Sequence, residues 1–398
     1  MTTRTDSRAL VPLYLAGFTT AFGAHGVATG LGVEAGGLGL SLLTFGVILA
    51  LYDLAEVILK PIFGALSDRI GVKPVIVGGL VVFALASAAA ILAPTPLVIA
   101  LARLGQGAGA SAFSPASSSA VARLAGSERL GRYFGRYGAW KSIGYAAGPL
   151  LGAALITAFG IGALYAVLAL LAAGTAVWVA LAVPSLPVRP RPRYTLADLI
   201  RQSTDRGFLI PTLALAATTG LLGVAVGYLP LLLTRSGAGP IASAASVAAI
   251  AVISAVAQPL TGRLRDRGRV SVRAGVSAAL TTGALAAVLM LWQQPVALYA
   301  SAVLIGIAVG VATPLAYAHL AANTPEERLG RTMGNAELGR ELGDAGGPLL
   351  VGALGTAIGL SAGIGALALL VGAAAATTAI TFRPPGGGDA QGVQSRET

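Results

Sequence analysis

Twelve apolar runs follow one another along this chain, and each is about as long as a helix that crosses a membrane. The hydrocarbon core of a bilayer is about 30 Å thick, a distance that a helix of about 20 apolar residues spans. We predict spans at 9–30, 40–66, 74–92, 96–123, 132–158, 161–183, 208–234, 238–264, 272–291, 295–322, 330–357 and 360–381. The expected fold is therefore an all-α membrane protein with twelve transmembrane helices.

The composition agrees with a chain that is solvated by lipid. Of 398 residues, 55% are hydrophobic and 11% are charged, and the mean hydropathy is +0.80. Soluble domains carry about 25% charged residues, so the composition argues against a water-soluble fold. The 54 glycines suit membrane helices, because small residues let two backbones approach closely.

The sequence has few or none of the residues that several kinds of chemistry require. There is no cysteine and there are only two histidines, so the sequence predicts no disulfide, no metal site and no cysteine nucleophile. It also lacks a glycine-rich phosphate loop that ends in Lys and Ser or Thr, which argues against ATP as the energy source. We therefore expect no cofactor and no enzymatic activity.

Positive charge is distributed along the chain as a topology signal. The net charge is +11, and 22 of the 27 Lys and Arg residues lie in the N-terminus, the even-numbered loops with their helix ends, and the C-terminus. Arg235 alone lies in an odd-numbered loop. Because basic loops remain cytoplasmic, we expect a multi-pass protein of the cell membrane with both termini in the cytoplasm. Such short basic clusters also argue against nucleic-acid binding.

The chain consists of two similar halves separated by a polar segment. Residues 128–132 recur as residues 327–331, an offset of 199, and many Gly and Pro positions match at the same offset. Six spans per half is an even number, so the halves share one orientation and a pseudo-two-fold axis along the membrane normal. The predicted parts are a bundle at 1–183, a cytoplasmic linker at 184–207, a bundle at 208–383 and a disordered tail at 384–398.

Three motifs in the first half resemble those of the major facilitator superfamily. Residues 64–73, Gly-Ala-Leu-Ser-Asp-Arg-Ile-Gly-Val-Lys, are similar to the loop motif that follows the second helix in that superfamily. Residues 103–109 look like its fourth-helix motif, and residues 144–152 are similar to the fifth-helix motif of its drug–proton antiporters. The resemblance covers nearly the whole chain and implies two bundles that rock about a central site.

The resemblance also implies two conformational elements. Asp68 can accept hydrogen bonds from the exposed N–H groups at the start of span 11, where the helix dipole favours negative charge, and so latch the cytoplasmic side. The residues assigned to this latch are Gly64, Asp68, Arg69, Gly71 and Lys73. A bend in span 5, located between the halves and associated with export, is assigned to Gly144, Gly148, Pro149 and Gly152.

Span 2 contains three charged residues, Asp53, Glu56 and Lys60, at spacings of three and four that place them on one helical face. A charge near the bilayer centre costs about 2.5 kcal/mol or more. In one interpretation, Glu56 and Lys60 neutralise each other and Asp53 hydrogen-bonds a neighbouring helix. In the other, Asp53 or Glu56 carries protons, because burial and a nearby cation shift proton affinity in opposite directions.

Span 11 contains a polar stripe of Glu337, Arg340, Glu341 and Asp344. Three acids against one base exceed what structural pairing requires, so we assign these acids to proton coupling. Arg340 aligns in the repeat with Lys141 of span 5. This pair of cations can hold an anionic group across a central cavity, or it can pair with the acids of spans 2 and 11.

Two further side chains are candidates for proton coupling. The resemblance favours this role for Arg103, whose alternative is to cap backbone carbonyls. His25 in span 1 has an ordinary pKa near neutrality and can titrate, although a lone histidine also serves in packing. The substrate-binding candidates are Lys60, Lys141, Arg340, Tyr52 and Tyr145.

The leading functional expectation is a proton-coupled antiporter that exports a small amphipathic organic compound, such as a drug. One alternative is a transporter of an organic or inorganic anion that uses Lys141, Arg340 and Arg103 as ligands. Another is a membrane receptor that transports nothing, which has no need of charges at the midplane. The expected partners are the substrate, protons and the lipid bilayer, and we expect a monomer.

Overall fold

The computed structural model describes residues 5–34, 42–92, 95–188 and 204–381. Within these ranges the regular structure consists of twelve long helices and two short 3-10 turns. The helices are α1 (Thr5–Glu34), α2 (Leu42–Ile70), α3 (Val72–Leu92), α4 (Pro96–Ala125), α5 (Leu130–Phe159), α6 (Ile161–Ala182), α7 (Arg206–Arg235), α8 (Pro240–Asp266), α9 (Val272–Met290), α10 (Pro295–Ala322), α11 (Leu329–Ile358) and α12 (Leu360–Thr381). Most of the predicted linker and all of the predicted tail lie outside the described residues.

Each predicted span corresponds to one helix, with bounds that differ by a few residues. α2 is longer than predicted and includes Asp68 and Arg69, which the sequence analysis placed in the following loop. Gly71 ends this helix with a φ of 96°, a conformation that a residue without a Cβ adopts readily. Gly160 and Gly359 also have positive φ, and each is the single residue between two consecutive helices.

Nine of the twelve helices, counted over the described residues, are long and apolar enough to cross a membrane on composition alone. The other three are α2, α4 and α11, which bury charged, amide and hydroxyl side chains. Polar groups within a membrane face the protein interior in this way. These three helices are therefore the ones to search for a functional site.

The helices form two bundles, α1–α6 and α7–α12. One cluster of buried apolar residues fills the first bundle and extends into α7, α10 and α11, and a second cluster lies within the second bundle. In the first bundle α1 packs on α5, and α3 packs on α4 and α6. In the second bundle the equivalent pairs recur, with α7 on α11 and α9 on α10 and α12. The predicted fold of two six-helix bundles related by a pseudo-two-fold axis is confirmed.

The bundles contact each other through α2 against α11 and α5 against α8. The end of α2 and the start of α11 lie on the side of the molecule where the first helix begins and the last one ends, here called the terminal end. A Cβ atom added at Gly64 or Gly262 would collide with the backbone of the opposite bundle, at Gly330 and Gly131 respectively. Glycine thus permits the close approach that shuts the terminal end.

Candidate functional site

A cavity of about 240 Å³ lies between the two bundles. Residues of α1, α2, α4 and α5 line it from the first bundle, and residues of α7 and α11 line it from the second. Its charged lining residues are Asp53, Glu56, Arg103, Lys141, Arg340, Glu341 and Asp344. His25, Tyr52 and Tyr145 complete the predicted candidates found in this cavity. The two remaining candidates, Lys60 and Glu337, lie about one helical turn closer to the terminal end.

Lys60 is enclosed by carboxylates and is fully buried. Its Nζ lies 2.6 Å from Glu341 Oε1, 3.0 Å from Glu56 Oε1 and 3.7 Å from Glu337 Oε2. Glu56 belongs to the same helix, whereas the other two acids come from α11. The prediction that Lys60 binds substrate is not supported by this placement, because its ammonium is held in ion pairs outside the cavity lining.

Glu337 is surrounded by hydrogen-bond donors and cations that all belong to the opposite bundle. Ser114 and Ser118 of α4 donate to its Oε2 and Oε1 at 2.5 Å and 2.8 Å. Lys141 Nζ lies 3.7 Å from Oε2, the same distance as Lys60 Nζ. These serines were not among the predicted site residues, although a serine-rich run within an apolar span is an available signal.

Arg340 and Lys141 occupy equivalent positions in the repeat but have different surroundings. Arg340 Nη2 donates to the Tyr145 hydroxyl at 2.5 Å and lies 3.4 Å from Glu341 Oε1. Lys141 Nζ instead donates to Ser114 Oγ at 3.3 Å, in addition to its ion pair with Glu337. Both cations line the cavity, and both are engaged by carboxylates of α11.

Arg103 packs on an aromatic ring. Its Cζ atom lies 4.2 Å from the centroid of the Tyr52 ring, and its Nη1 donates to Gln106 Oε1 at 3.4 Å. Gln106 in turn donates to Ser87 Oγ at 2.9 Å. The alternative in which Arg103 caps backbone carbonyls is not what the structure shows. A cation–π contact to α2 holds it at the cavity wall.

His25 lies against Tyr145 on the α1 side of the cavity. The centroids of the two rings are 4.3 Å apart. Because Arg340 also donates to the Tyr145 hydroxyl, this tyrosine connects a side chain of α1 with one of α11. The contact brings a predicted proton-coupling candidate next to a predicted substrate-binding candidate.

Asp53 and Asp344 differ from the other acids of the cavity. In the described part of the chain, neither has an ion pair within 4.0 Å or a hydrogen bond. Asp53 lines the cavity from α2 and Asp344 lines it from α11, so they belong to opposite bundles. The interpretation in which Asp53 hydrogen-bonds a neighbouring helix is therefore wrong, whereas the predicted pairing of Glu56 with Lys60 is present.

The site as a whole holds more negative than positive groups. Five carboxylates and four cationic side chains lie in the cavity or within one helical turn of it towards the terminal end. His25 adds no charge to this count when its ring is neutral. Removing charges from water costs several kcal/mol for each unless partners compensate. Each of these carboxylates has an ion pair among the described residues except Asp53 and Asp344, which remain accessible from the cavity.

At the terminal end, Asp68 accepts hydrogen bonds from the start of α11. The N–H groups of Gly330 and Arg331 donate to its Oδ1 and Oδ2 at 2.7 Å and 2.9 Å, and Arg123 Nη2 lies 3.5 Å from Oδ1. The contact that the loop motif implied is present, and its role as a latch stays a prediction. Arg69 is exposed and Lys73 is half-buried beside it.

A second contact of the same kind joins α8 to α5. The N–H groups of Gly131 and Arg132 donate to Asp266 Oδ1 and Oδ2 at 2.8 Å and 2.7 Å. Asp266 was not among the predicted site residues. The repeat was the signal that indicated it, because Asp266 corresponds to Asp68 and the start of α5 corresponds to the start of α11.

The glycines of the antiporter-like motif pack within the first bundle. A Cβ atom at Gly148 or Gly152 would lie 2.9 Å from the backbone of Gly26 in α1, and Gly144 faces the same helix. The resemblance implied a position between the halves, and this is wrong because these residues, spaced by four, share the face that meets α1. Gly135 and Gly138, on another face of α5, contact Gln258 of α8 instead. Pro149 lies within an uninterrupted α5.

Comparison with known proteins agrees with this architecture. The sequence matches the profile of the Major Facilitator Superfamily over residues 13–292 and 268–396. It is 36% identical over 109 residues to the Multidrug resistance protein B homolog of Mycobacterium tuberculosis, a match that covers 27% of the chain and 20% of that relative. It is 29% identical over 294 residues to the Chloramphenicol resistance protein of Pseudomonas aeruginosa, which covers 72% of the chain and 68% of that relative.

Solved structures share the fold over nearly their full length. The human organic anion transporter MFSD10 has a TM-score of 0.77 and 19% identity, with 94% of this chain and 99% of that chain covered. The Escherichia coli fucose:proton symporter FucP has a TM-score of 0.73 and 16% identity, with 96% and 100% covered. At these identities the likeness shows the fold alone. The profile match and the two bundles together mean that the chain belongs to the Major Facilitator Superfamily and is a multi-pass membrane transporter, not an enzyme.

Proposed function

We propose that this chain is a proton-coupled antiporter that exports small amphipathic organic compounds across a cell membrane. The observation that carries this proposal is the cavity between the bundles, to which Asp53 and Asp344 contribute carboxylates without an ion-pair partner among the described residues. The names of relatives refer to resistance to chloramphenicol and to several drugs, which supports compounds of this kind as substrates.

The terminal end is assigned to the cytoplasm. Its loops and both chain termini carry most of the basic residues, and basic loops remain cytoplasmic. The contacts of Asp68 and Asp266 then close the cytoplasmic side, and the cavity belongs to the outward-facing state. Both termini are cytoplasmic in this orientation.

Export requires a second state in which the terminal end is open. In the proposed cycle, residues 1–183 and 208–383 move as two bodies that residues 184–207 connect. Opening the terminal end separates Asp68 and Asp266 from their helix N-termini. It also withdraws Glu337 from the serines of α4. All of these contacts join one bundle to the other, so they break together.

Protons and substrate compete for the cavity carboxylates. Glu56 and Glu341 share the ammonium of Lys60, whereas protonation of Asp53 or Asp344 disrupts no ion pair. Protons enter while the cavity faces outside and neutralise these acids as the cavity closes, which removes the cost of a desolvated charge. Substrate displaces the protons on the cytoplasmic side. Thermodynamic linkage then requires that bound protons weaken the binding of substrate and that bound substrate weakens the binding of protons.

Anion transport is the less favoured alternative. It assigns Lys141, Arg340 and Arg103 as ligands. The first two of these cations already form ion pairs with α11, and the third lies over Tyr52. An anion would have to displace these partners. The same transport assay decides between the two functions.

The proposed function is tested in proteoliposomes with an imposed pH gradient. Ethidium as a cation, chloramphenicol as a neutral compound and benzoate as an anion are offered to the purified wild-type protein. We expect gradient-driven transport of at least one amphipathic compound. Each of the four variants Asp53→Asn, Glu56→Gln, Glu341→Gln and Asp344→Asn is then compared with the control Glu128→Gln, which changes an exposed acid outside the cavity.

A variant that replaces the proton carrier loses gradient-driven transport but retains exchange of substrate without a gradient. If all four amide variants keep full coupling while the control also does, proton coupling through these acids is rejected. Transport of benzoate alone would replace the proposed function by the anion alternative.

A further inference from the structure

We propose that the substrate of the cavity is a small organic cation whose positive charge binds between Asp53 of α2 and Asp344 of α11. This inference rests on the proposed transport function and specifies its substrate class. The chemical class is an ammonium group attached to an aromatic or other apolar body.

The bases of the cavity offer little to an anion. Arg340 and Lys141 form ion pairs with carboxylates of α11, at 3.4 Å and 3.7 Å. Arg103 is the one lining base without an ion pair in the described ranges, and it is 2% exposed with its guanidinium against the Tyr52 ring. An incoming anion therefore meets cations that are compensated or covered.

The acids of the cavity are unequally compensated. Glu56 and Glu341 share Lys60, at 3.0 Å and 2.6 Å. Asp53 and Asp344 have neither an ion pair within 4.0 Å nor a hydrogen bond in the described part of the chain. Both carboxylates line the same cavity, one from each bundle. A cation between them gives each carboxylate the counter-charge that it lacks among the described residues.

Tyr52 gives an independent indication of a ligand at the same place. Its side chain is 1% exposed and lines the cavity, and its hydroxyl has no hydrogen-bond partner in the described structure. A buried hydroxyl without a partner is unfavourable, and an N–H group of a ligand relieves this by donating to the tyrosine oxygen. Tyr145 adds a second aromatic ring to the wall, and aromatic faces attract cations within about 6 Å.

A cation in this position also connects the two bundles. Asp53 moves with the first bundle and Asp344 with the second in the proposed cycle. Without a cation or a proton, closing the cavity brings two negative charges together in a medium of low dielectric constant. A bound cation is therefore expected to permit closure on the side opposite the terminal end.

The test uses three ligands of nearly the same shape and different charge. N,N-dimethylbenzylammonium is the cation, isobutylbenzene is its neutral carbon isostere, and phenylacetate is the anion. Their affinities for the purified full-length protein are measured by isothermal titration calorimetry in detergent. We expect the cation to bind about 10-fold or more tightly than isobutylbenzene and phenylacetate to bind most weakly.

Variants then assign the charge dependence to residues. Asp53→Asn and Asp344→Asn should each weaken binding of the cation by about 10-fold and leave the affinity for isobutylbenzene unchanged, which also shows that the cavity is intact. Tyr52→Phe should weaken binding of the cation but not of isobutylbenzene. The control Glu128→Gln should change neither affinity.

Three results overturn the inference: phenylacetate binds most tightly, all three ligands bind equally or not at all, or both Asn variants keep the wild-type affinity for the cation. The assay needs neither turnover nor a proton gradient. If proton coupling fails in proteoliposomes, the calorimetric evidence for the cation site is unaffected. If the cation site fails in calorimetry, the proteoliposome assay still tests proton-coupled transport.

Discussion

At the scale of single residues, Glu337 is better explained as a structural carboxylate than as a proton carrier. It is fully buried, lies outside the cavity lining and accepts from two serines while two lysines lie at 3.7 Å. In the proposed cycle a carrier must take up protons while the cavity faces outside, and these contacts seal Glu337 from the cavity in that state. We therefore expect its replacement to change stability more than coupling.

Glu337→Gln should lower the free energy of unfolding by about 3–5 kcal/mol, because it leaves Lys60 and Lys141 short of one buried counter-ion. Ser118→Ala removes only one hydrogen bond and should cost about 1–3 kcal/mol. Tryptophan fluorescence during thermal unfolding in detergent gives the order of the two midpoints. This assignment would be refuted if the unfolding midpoint of Glu337→Gln equalled that of the wild type or exceeded that of Ser118→Ala.

The residue types of the site could be predicted from the sequence, but their pairing could not. Acids and bases at spacings of three and four marked α2 and α11 as polar stripes. Lys60 and Glu341, however, are 281 residues apart in the chain, and only the packing of α2 on α11 joins them. For the same reason Lys60 was assigned to substrate binding although three carboxylates hold it.

At the scale of helices, the two bundles are joined at the terminal end by equivalent contacts. Asp68 binds the start of α11 and Asp266 binds the start of α5. In each case a carboxylate accepts hydrogen bonds from two backbone N–H groups at a helix N-terminus, where the helix dipole favours negative charge. The two contacts are expected to contribute similarly to the closed state because the repeat relates them.

Asp68→Asn and Asp266→Asn should each open the terminal end more often, since each loses its charge and one of two acceptor oxygens. Charged hydrogen bonds of this kind contribute about 1.5–3 kcal/mol, so opening should increase about 10-fold or more. The chain has no cysteine, so Met333→Cys, a buried position in α11, reports opening through its rate of reaction with a water-soluble maleimide.

The Met333→Cys protein with both aspartates, and the same protein with Glu128→Gln, provide the reference rates. Equal labelling rates in these references and in both Asn variants would show that the aspartates do not hold the terminal end closed. A faster rate in only one Asn variant would reject the expected equivalence of the two contacts.

Helix positions followed from apolar length, but the faces that helices present to one another did not. The antiporter-like glycines of α5 were expected between the bundles, and they pack on α1 instead. The glycines of α5 that do meet the opposite bundle, Gly131, Gly135 and Gly138, lie nearer the start of the helix and at other angles around it. Sequence spacing gives the relative angle of two positions and does not say which neighbour each will meet.

At the scale of the whole molecule, the repeat gives two bundles of the same architecture whose polar residues differ. The offset of 199 and the even number of spans predicted the symmetry, because they depend on chain order alone. The central cavity breaks the symmetry: Lys141 and Arg340 are equivalent in the repeat, yet their partners differ. The excess of one acid over the bases can be counted in the sequence. The identity of the two carboxylates without an ion pair in the described ranges, which directs the proposed function towards protons and cations, appears only after both bundles are assembled.

The central claim is that substrate and protons compete for the same carboxylates. The most direct measurement adds a saturating amount of whichever benzyl ligand binds most tightly to purified protein in weakly buffered detergent. The pH change is recorded from about pH 5 to pH 8, a range in which buried carboxylates titrate. The account predicts release of about one proton per bound ligand at some pH in this range, and loss of the release when Asp53→Asn and Asp344→Asn are combined. Saturated binding without any release of protons across the whole range would contradict the account.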